Sequence, residues 1–336
     1  MRSRLGQDTV VCTETNEGLH SIQLRLGADR HGDTAKWGCA AADPTWLLDA
    51  VEGGVRQLMT DRECLARRVP LPGLVHGPTV MSAHAAGVFV HECFGHTSEA
   101  DNYLEHRDDL GISIGDRWTS AGLSVRDDPT TWPFAGSYRV DDEGIPATDV
   151  TLVSAGRWVG LLTDAERASL SGGVSTGHGR GPQGAISPRC SVLTVAAGDR
   201  SPTTLLAAIT EGWLLGTPIG GFSMGAHVVL ELLWIKAVRD GVACEDVVYG
   251  PAVIRAHKAA LARQISAIGS DVFINSSPFR CVKNGWEVGS SLLAPSMLMD
   301  QVVLRPMHSS LMSEDRAARA GNSRHRGRAG RPGAET

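Results

Sequence analysis

One twelve-residue stretch, Val90-His91-Glu92-Cys93-Phe94-Gly95-His96-Thr97-Ser98-Glu99-Ala100-Asp101, carries two imidazoles, three carboxylates and a thiol. Two histidines with a glutamate directly after the first are the residue types of a hydrolytic zinc centre. The imidazoles hold the ion, and the carboxylate takes a proton from its water. The familiar spacing is His-Glu-x-x-His, which sets the two rings one turn apart on one helix face. Here one more residue intervenes, giving His-Glu-x-x-x-His. On a regular helix, positions i and i+5 point about 140° apart, too far for both rings to reach one ion. A local π-type bulge absorbs the additional residue and brings the rings back together. Gly95 is the residue type that tolerates such a distortion best.

A His-Glu pair in a helix is more often surface decoration or a hydrogen-bonded core histidine than a ligand. Against that, the preceding run Ala85-Ala86-Gly87-Val88-Phe89-Val90 is apolar, so His91 leaves a buried helix. Burying two imidazoles and Glu92 without partners is costly, and a metal removes the cost. Zinc then needs a third protein ligand, with the fourth position left to water. Glu99, Asp101, His106, His178 and the cysteines are all of suitable type. Spacing does not choose among them.

The elements that must position these groups follow from periodicity. Residues 9–26 alternate around Glu17-Gly18 as a strand pair, and a loop runs from Gly27 to Asp33. From Trp46 to Arg68, Leu47, Leu48, Val51, Val55, Leu58 and Met59 recur at helical spacing, with Pro44 before and Pro70 and Pro72 after. Thr79–Ser82 reads as a strand, and Ala83 to about His106 as one helix carrying the His/Glu motif. Beyond Ile112, short β-type runs (Leu123–Val125, Val150–Val153, Trp158–Leu162, Ser191–Val195) alternate with turns such as Asp142-Glu143-Gly144 and Ala155-Gly156. The glycine-rich run Ser171–Gly181 is a loop. Val228–Val238 and Val242–Val248 flank Asp240-Gly241, the strongest hairpin signal in the chain. Ala252–Ile268 reads as an amphipathic helix and Leu298–Leu304 as a strand.

Composition narrows the setting. The 336 residues are 42% hydrophobic and 21% charged, ordinary for a globular chain, and the net charge of −5 favours neither nucleic acid nor membrane as partner. No apolar run approaches the roughly 20 residues of a membrane span, and the start, Met1-Arg-Ser-Arg-Leu-Gly-Gln-Asp8, lacks a signal-peptide core. Seven scattered cysteines without a Cys-x-x-Cys pair fit a reducing compartment. These readings place the protein in the cytoplasm. Residues 313–336 hold six arginines and three acids among small polar residues, and read as a disordered tail.

The motif His91-Glu92-Cys-Phe-Gly-His96-x-x-Glu99-x-Asp101 resembles the signature of the TldD/PmbA peptidases, specifically the TldD-like half that bears the metal. Five further segments resemble that family in the same order. They are Val140-Asp-Asp-Glu-Gly-Ile-Pro146; Leu161-Leu-Thr-Asp164 with Ser175-Thr-Gly-His-Gly-Arg180; Gly198-Asp-Arg-Ser-Pro202; Gly221-Phe-Ser-Met-Gly225; and Arg280-Cys281-Val-Lys-Asn-Gly285. One such motif is weak, but six in order are specific. The resemblance implies metal ligands at His91, His96 and Cys281, with one zinc ion per subunit. It also implies a dimer, either with a motif-less PmbA-like homologue or with a second copy, and a small or unfolded peptide as substrate. Trimming of a ribosomally made precursor peptide is one such task. Glu92 is then the general base, Glu99 and Asp101 orient the histidines, and Thr176, Gly177, His178 and Phe222 bind peptide main chain.

The expected fold is α+β: an antiparallel β-rich C-terminal domain whose helix bears the motif, after a small α/β N-terminal remnant. The expected boundaries are 1–75 for a reduced N-terminal region, 76–308 for the metallopeptidase domain and 309–336 for the Arg-rich tail. The family normally carries a larger N-terminal domain. Val282 also replaces a glycine of the family pattern, His178 an asparagine, and Arg189-Cys190-Ser191 an Arg-x-Thr-Asn segment. Two other readings compete. One is a non-catalytic partner subunit or peptide-binding regulatory protein of the same fold. The other is an unrelated zinc peptidase of the dipeptidyl peptidase III type, whose third ligand is a glutamate.

Overall fold

The structure, a computed structural model, describes residues 2–4, 9–16, 18–28, 33–170, 172–276 and 281–307. The tail 309–336 and part of the 27–33 loop lie outside the described residues. Strands β1 (Arg2–Arg4), β2 (Thr9–Asn16), β3 (Leu19–Ala28) and β4 (Thr34–Ala41) form an antiparallel sheet in chain order. Helix α1 (Pro44–Arg67) follows. The Asp43 carboxylate caps it by accepting from the Thr45 backbone N–H at 2.8 Å, and Pro44 fills the first turn, where a missing N–H costs nothing. The helix buries Leu47, Leu58 and Leu65 but turns Leu48, Val55 and Met59 outward.

Glycine weakens a helix by about 1 kcal/mol relative to alanine, yet α1 runs through Gly54. The reason is Trp37 of β4: a Cβ at Gly54 would lie 2.2 Å from its Cε2 atom. Gly54→Ala is therefore expected to destabilise the chain by roughly 1–3 kcal/mol through overpacking, despite its better helix propensity. Denaturant unfolding checks this. Trp37, Leu24, Leu47 and Leu58 share one cluster with Leu233, Trp234 and Val248, so the N-terminal layer and the larger body pack through a common core.

Strands β5 (Arg68–Val69) and β6 (Val75–Met81) enter that larger body. Among the described residues it is one mixed sheet of fourteen strands. Its spine is the strand Ser291–Pro306, which pairs with β6, Val192–Val195, Ala252–His257 and Ile265–Asn275. Residues 291–299 are almost wholly buried, as expected for a strand covered on both faces. Most pairings are antiparallel. Val192–Val195 against the spine, Trp213–Leu215 against β6, and Val248-Tyr249 against β5 are parallel.

The Asp240-Gly241 hairpin forms, with φ of 47° and 78° at the two turn residues, the left-handed pair that suits a right-twisted hairpin. The expected helix over 252–268 does not form. Those residues make the strand Ala252–His257, a short helix Lys258–Ala262 and the start of the strand Ile265–Asn275. Alanine-rich composition favours helix locally. Here, however, residues 252–257 find a full partner in His227–Leu232, and that pairing prevails over propensity. Among the described residues, no helix is long and apolar enough to cross a membrane.

Candidate metal centre

Helix α2 (Ala83–Val90) starts at Ser82, whose hydroxyl accepts from the Ala85 backbone N–H at 3.2 Å. It lies on the sheet with Ala85, Ala86, Phe89 and Val90 buried in the main core. Gly87 faces Leu292 and Ala294 of the spine strand. The chain then passes through a π-helical turn, His91–Gly95, before the single turn α3 (His96–Ser98). The widened turn takes up the extra residue of His-Glu-x-x-x-His, so both imidazoles face the same side. Gly95 keeps an ordinary helical φ of −60°. Its lack of a side chain serves a close contact instead, because a Cβ would lie 2.8 Å from Cys190 Sγ.

The single helix expected over 83–106 is interrupted. Glu99 adopts extended backbone (φ −70°, ψ 123°), and a separate helix, α4 (Ala100–Leu110), begins after it. Leu162 bridges the break: its N–H donates to the Ser98 carbonyl and its carbonyl accepts from Ala100. The break turns the Glu99 carboxylate inward, where it is fully buried. It accepts from His96 Nδ1 at 3.0 Å, Asn102 Nδ2 at 2.9 Å, the Cys190 N–H at 3.1 Å and Lys283 Nζ at 2.7 Å. Four donors offset the cost of burying that charge.

Cys281, distant in sequence, completes the cluster. Its Sγ lies 3.4 Å from His91 Nε2 and 3.3 Å from His96 Nε2, and the two ring centroids are 4.5 Å apart. Given zinc bond lengths of 2.0–2.3 Å, ligand atoms around a tetrahedral ion sit roughly 3.3–3.8 Å apart, so the two nitrogen–sulfur distances fit that ion. Glu92 Oε2 is 3.8 Å from His96 Nε2. Its side chain rests on the strand Pro218–Met224, where a Cβ at Gly221 would lie 2.7 Å from Glu92 Cγ. His91, Glu92 and His96 are all buried.

The electrostatics favour the ligand form of the sulfur. Burial alone pushes the Cys281 thiol up, but the His96 and His91 imidazoles outweigh it and hold the thiol well below its ordinary value. Burial pushes His96 down, while the Glu99 carboxylate and Cys281 carry it well above the usual imidazole range. Glu99, which burial alone would raise, is held well below the carboxylate range by His96 and Lys283. A thiolate is the form that binds metal. A second group, His96, Glu99 and Cys190, also has its donor atoms within 4.8 Å of one another. It is a poor cation site, because Lys283 already sits 2.7 Å from Glu99, and burial and the Glu99 charge push the Cys190 thiol well above its ordinary value.

Residues 76–305 match the family described as the PmbA/TldA metallopeptidase C-terminal domain. The chain belongs to this family. A metalloprotease of Synechocystis sp. is 31% identical over 233 residues, covering 68% of this chain and 49% of that protein. A zinc metalloprotease TldD homolog of Saccharolobus solfataricus is 30% identical over 149 residues, covering 43% of this chain and 33% of that one. The crystal structure of TldE from Thermococcus kodakarensis has the same fold, with a TM-score of 0.67 at 18% identity over 85% of this chain and 63% of that chain. The chain spans about half the length of the curated relatives it matches.

Within this PmbA/TldA fold, the remaining expected site residues fall in different places. Asp101 meets Lys283 Nζ at 2.7 Å and is not hydrogen-bonded to either histidine of the motif. Phe222 lies on the strand that supports Glu92, next to Gly221. Thr176, Gly177 and His178 do not join the cluster. His178 is fully buried, with Nε2 3.2 Å from Asp127 Oδ1 and Nδ1 2.9 Å from Thr176 Oγ1. Gly177 is pressed against Pro146 and its carbonyl accepts from the Tyr138 hydroxyl, while the Thr176 hydroxyl accepts from the Thr163 N–H. These polar groups are engaged inside the fold, where His178 meets the same Asp127 that accepts from the Ser191 N–H. Sequence reasoning overlooked Lys283, Asn102 and Arg189. Lys283 carried a signal: two residues after Cys281 on a strand, it must share that residue's face.

Proposed function

We propose that this chain is a zinc-dependent peptidase for small or unfolded peptides, holding one zinc ion on His91 Nε2, His96 Nε2 and Cys281 Sγ. The observation that carries the reading is the convergence of these three donor atoms within 4.8 Å of one another, with the Glu92 carboxylate 3.8 Å from His96 Nε2. A zinc ion held by these residues would supply Lewis-acid chemistry, lowering the pKa of a bound water toward about 7 and polarising the scissile carbonyl. Glu92 would serve as the general base, holding the proton given up by the attacking water and returning it to the leaving amine. Glu99 holds His96 through Nδ1, which aims Nε2 at the metal position. Among the described residues, the strand Pro218–Met224 pairs within the sheet with His227–Leu232. A substrate main chain held beside this strand passes Glu92, which rests on Gly221.

The same reading makes the working unit a dimer, with a second copy or with a homologue lacking the histidine motif. It places the unit in the cytoplasm and includes precursor-peptide trimming among its tasks. The relatives named metalloproteases support the chemistry. The test is direct. The purified, folded chain is expected to bind one zinc ion, to cleave an unfolded peptide, to lose cleavage on chelation and to regain it with zinc. A folded chain that holds no metal overturns the reading.

A further inference from the structure

Cys281 stands on a hairpin with little of its own to hold it. Strands Cys281–Lys283 and Trp286–Val288 pair with each other and join no larger sheet among the described residues. The turn Asn284-Gly285, with φ of 54° and 83°, closes them tightly. A lone two-stranded hairpin is only marginally stable in water, and Val282 and Trp286 are 60% and 46% exposed, which leaves Val288 as its buried apolar anchor. The other attachments among the described residues are polar. Arg189 donates to the carbonyl of Cys281 at 2.6 Å and to that of Trp286 at 3.3 Å, which holds the hairpin backbone. Lys283 Nζ donates to Glu99 Oε2 at 2.7 Å, Asp101 Oδ1 at 2.7 Å and the Pro188 carbonyl at 3.2 Å, using all three of its hydrogens.

Cys281 and Lys283 lie two residues apart on one strand, so the sulfur and the ammonium leave the same face. The sulfur meets His91 and His96, and the ammonium meets Glu99, the carboxylate that also holds His96 Nδ1. One chain of contacts thus runs from the backbone of the cysteine strand through Lys283 and Glu99 to the imidazole that faces the sulfur. We propose that Lys283 is a positioning residue that sets the distance between Cys281 Sγ and the two imidazoles before metal arrives. The proposal rests on the assignment of His91, His96 and Cys281 as zinc ligands. A metal that meets three donors already in place need not order the hairpin, and that saving appears as affinity.

The test uses the full chain and zinc alone, by competition with a chromophoric chelator, with cobalt(II) as a second probe of the sulfur bond. Lys283→Met is expected to weaken zinc binding by roughly 10–100-fold, as loss of an outer partner of a metal ligand does, and to diminish the cobalt–thiolate absorption band. Lys283→Arg keeps the charge and recovers part of both. Asp101→Asn, which keeps the shape but removes one of the two carboxylate charges that Lys283 meets, shows a smaller loss in the same direction. A folded Lys283→Met chain with unchanged zinc affinity and an unchanged band overturns the proposal. If that variant does not fold, Asp101→Asn decides, and unchanged affinity and band there overturn it equally. If the wild-type chain binds no zinc, or Cys281→Ala binds it as tightly, it is the ligand assignment that falls instead.

Discussion

Cys281→Ala is expected to cost this chain its tightly held zinc and to leave the rest of the molecule folded. The sulfur sits on a hairpin outside the main sheet and belongs to none of the hydrophobic core clusters, so removing it opens no cavity in them. What it removes is the thiolate that the structure sets 3.4 Å and 3.3 Å from the two imidazoles. Two histidines then remain where zinc needs three protein donors. The loss should exceed the roughly 10–100-fold that follows removal of an outer partner of a ligand. Glu99→Gln supplies that comparison, because Glu99 touches His96 at Nδ1 and leaves Nε2 to the metal. Metal analysis after gel filtration separates the two variants. Zinc retained in Cys281→Ala but absent from Glu99→Gln would reverse the assignment and favour a glutamate as third ligand.

Glu92→Gln should do the opposite, keeping zinc and abolishing turnover. Glutamine matches glutamate in shape, so the contact with Gly221 survives, and no metal ligand is lost. The substitution removes only the capacity to take and return a proton. General-base catalysis is worth about 10²–10⁴-fold, and peptide cleavage is expected to fall by at least that range while zinc content stays at one per chain. Steady-state cleavage of an unfolded peptide, measured beside metal content, reads both. Turnover retained in Glu92→Gln removes the general base from the mechanism. An inactive wild type that still binds peptide points to a partner subunit of the same fold.

Some of this molecule is local enough to be legible in a line of residues. The insertion in His-Glu-x-x-x-His demands that a helix absorb one residue, and the π-turn His91–Gly95 does so. The Asp240-Gly241 hairpin and the cap and periodicity of α1 are likewise short-range, because each depends on φ preferences or spacing within a few positions. The apolar run before His91 already implied a buried helix, and α2 lies in the core.

What the line of residues could not settle depends on partners far away in the chain. Residues 252–257, which read as the start of a helix, became a strand because His227–Leu232 lay alongside to pair with them. The helix after His96 broke at Glu99 because its carboxylate was bound by Lys283, 184 positions away, and by the Cys190 backbone. His178 stands in a glycine-rich loop that reads as open, yet Asp127 and Thr176 hold it inside. By itself, then, the sequence determined the motif, its need for a bulge and the local turns, since those energies are paid within a few residues. Only the tertiary structure decided which sulfur, which carboxylate and which ammonium meet the two histidines, because burying a charge is tolerable only where the whole fold delivers its counter-charges.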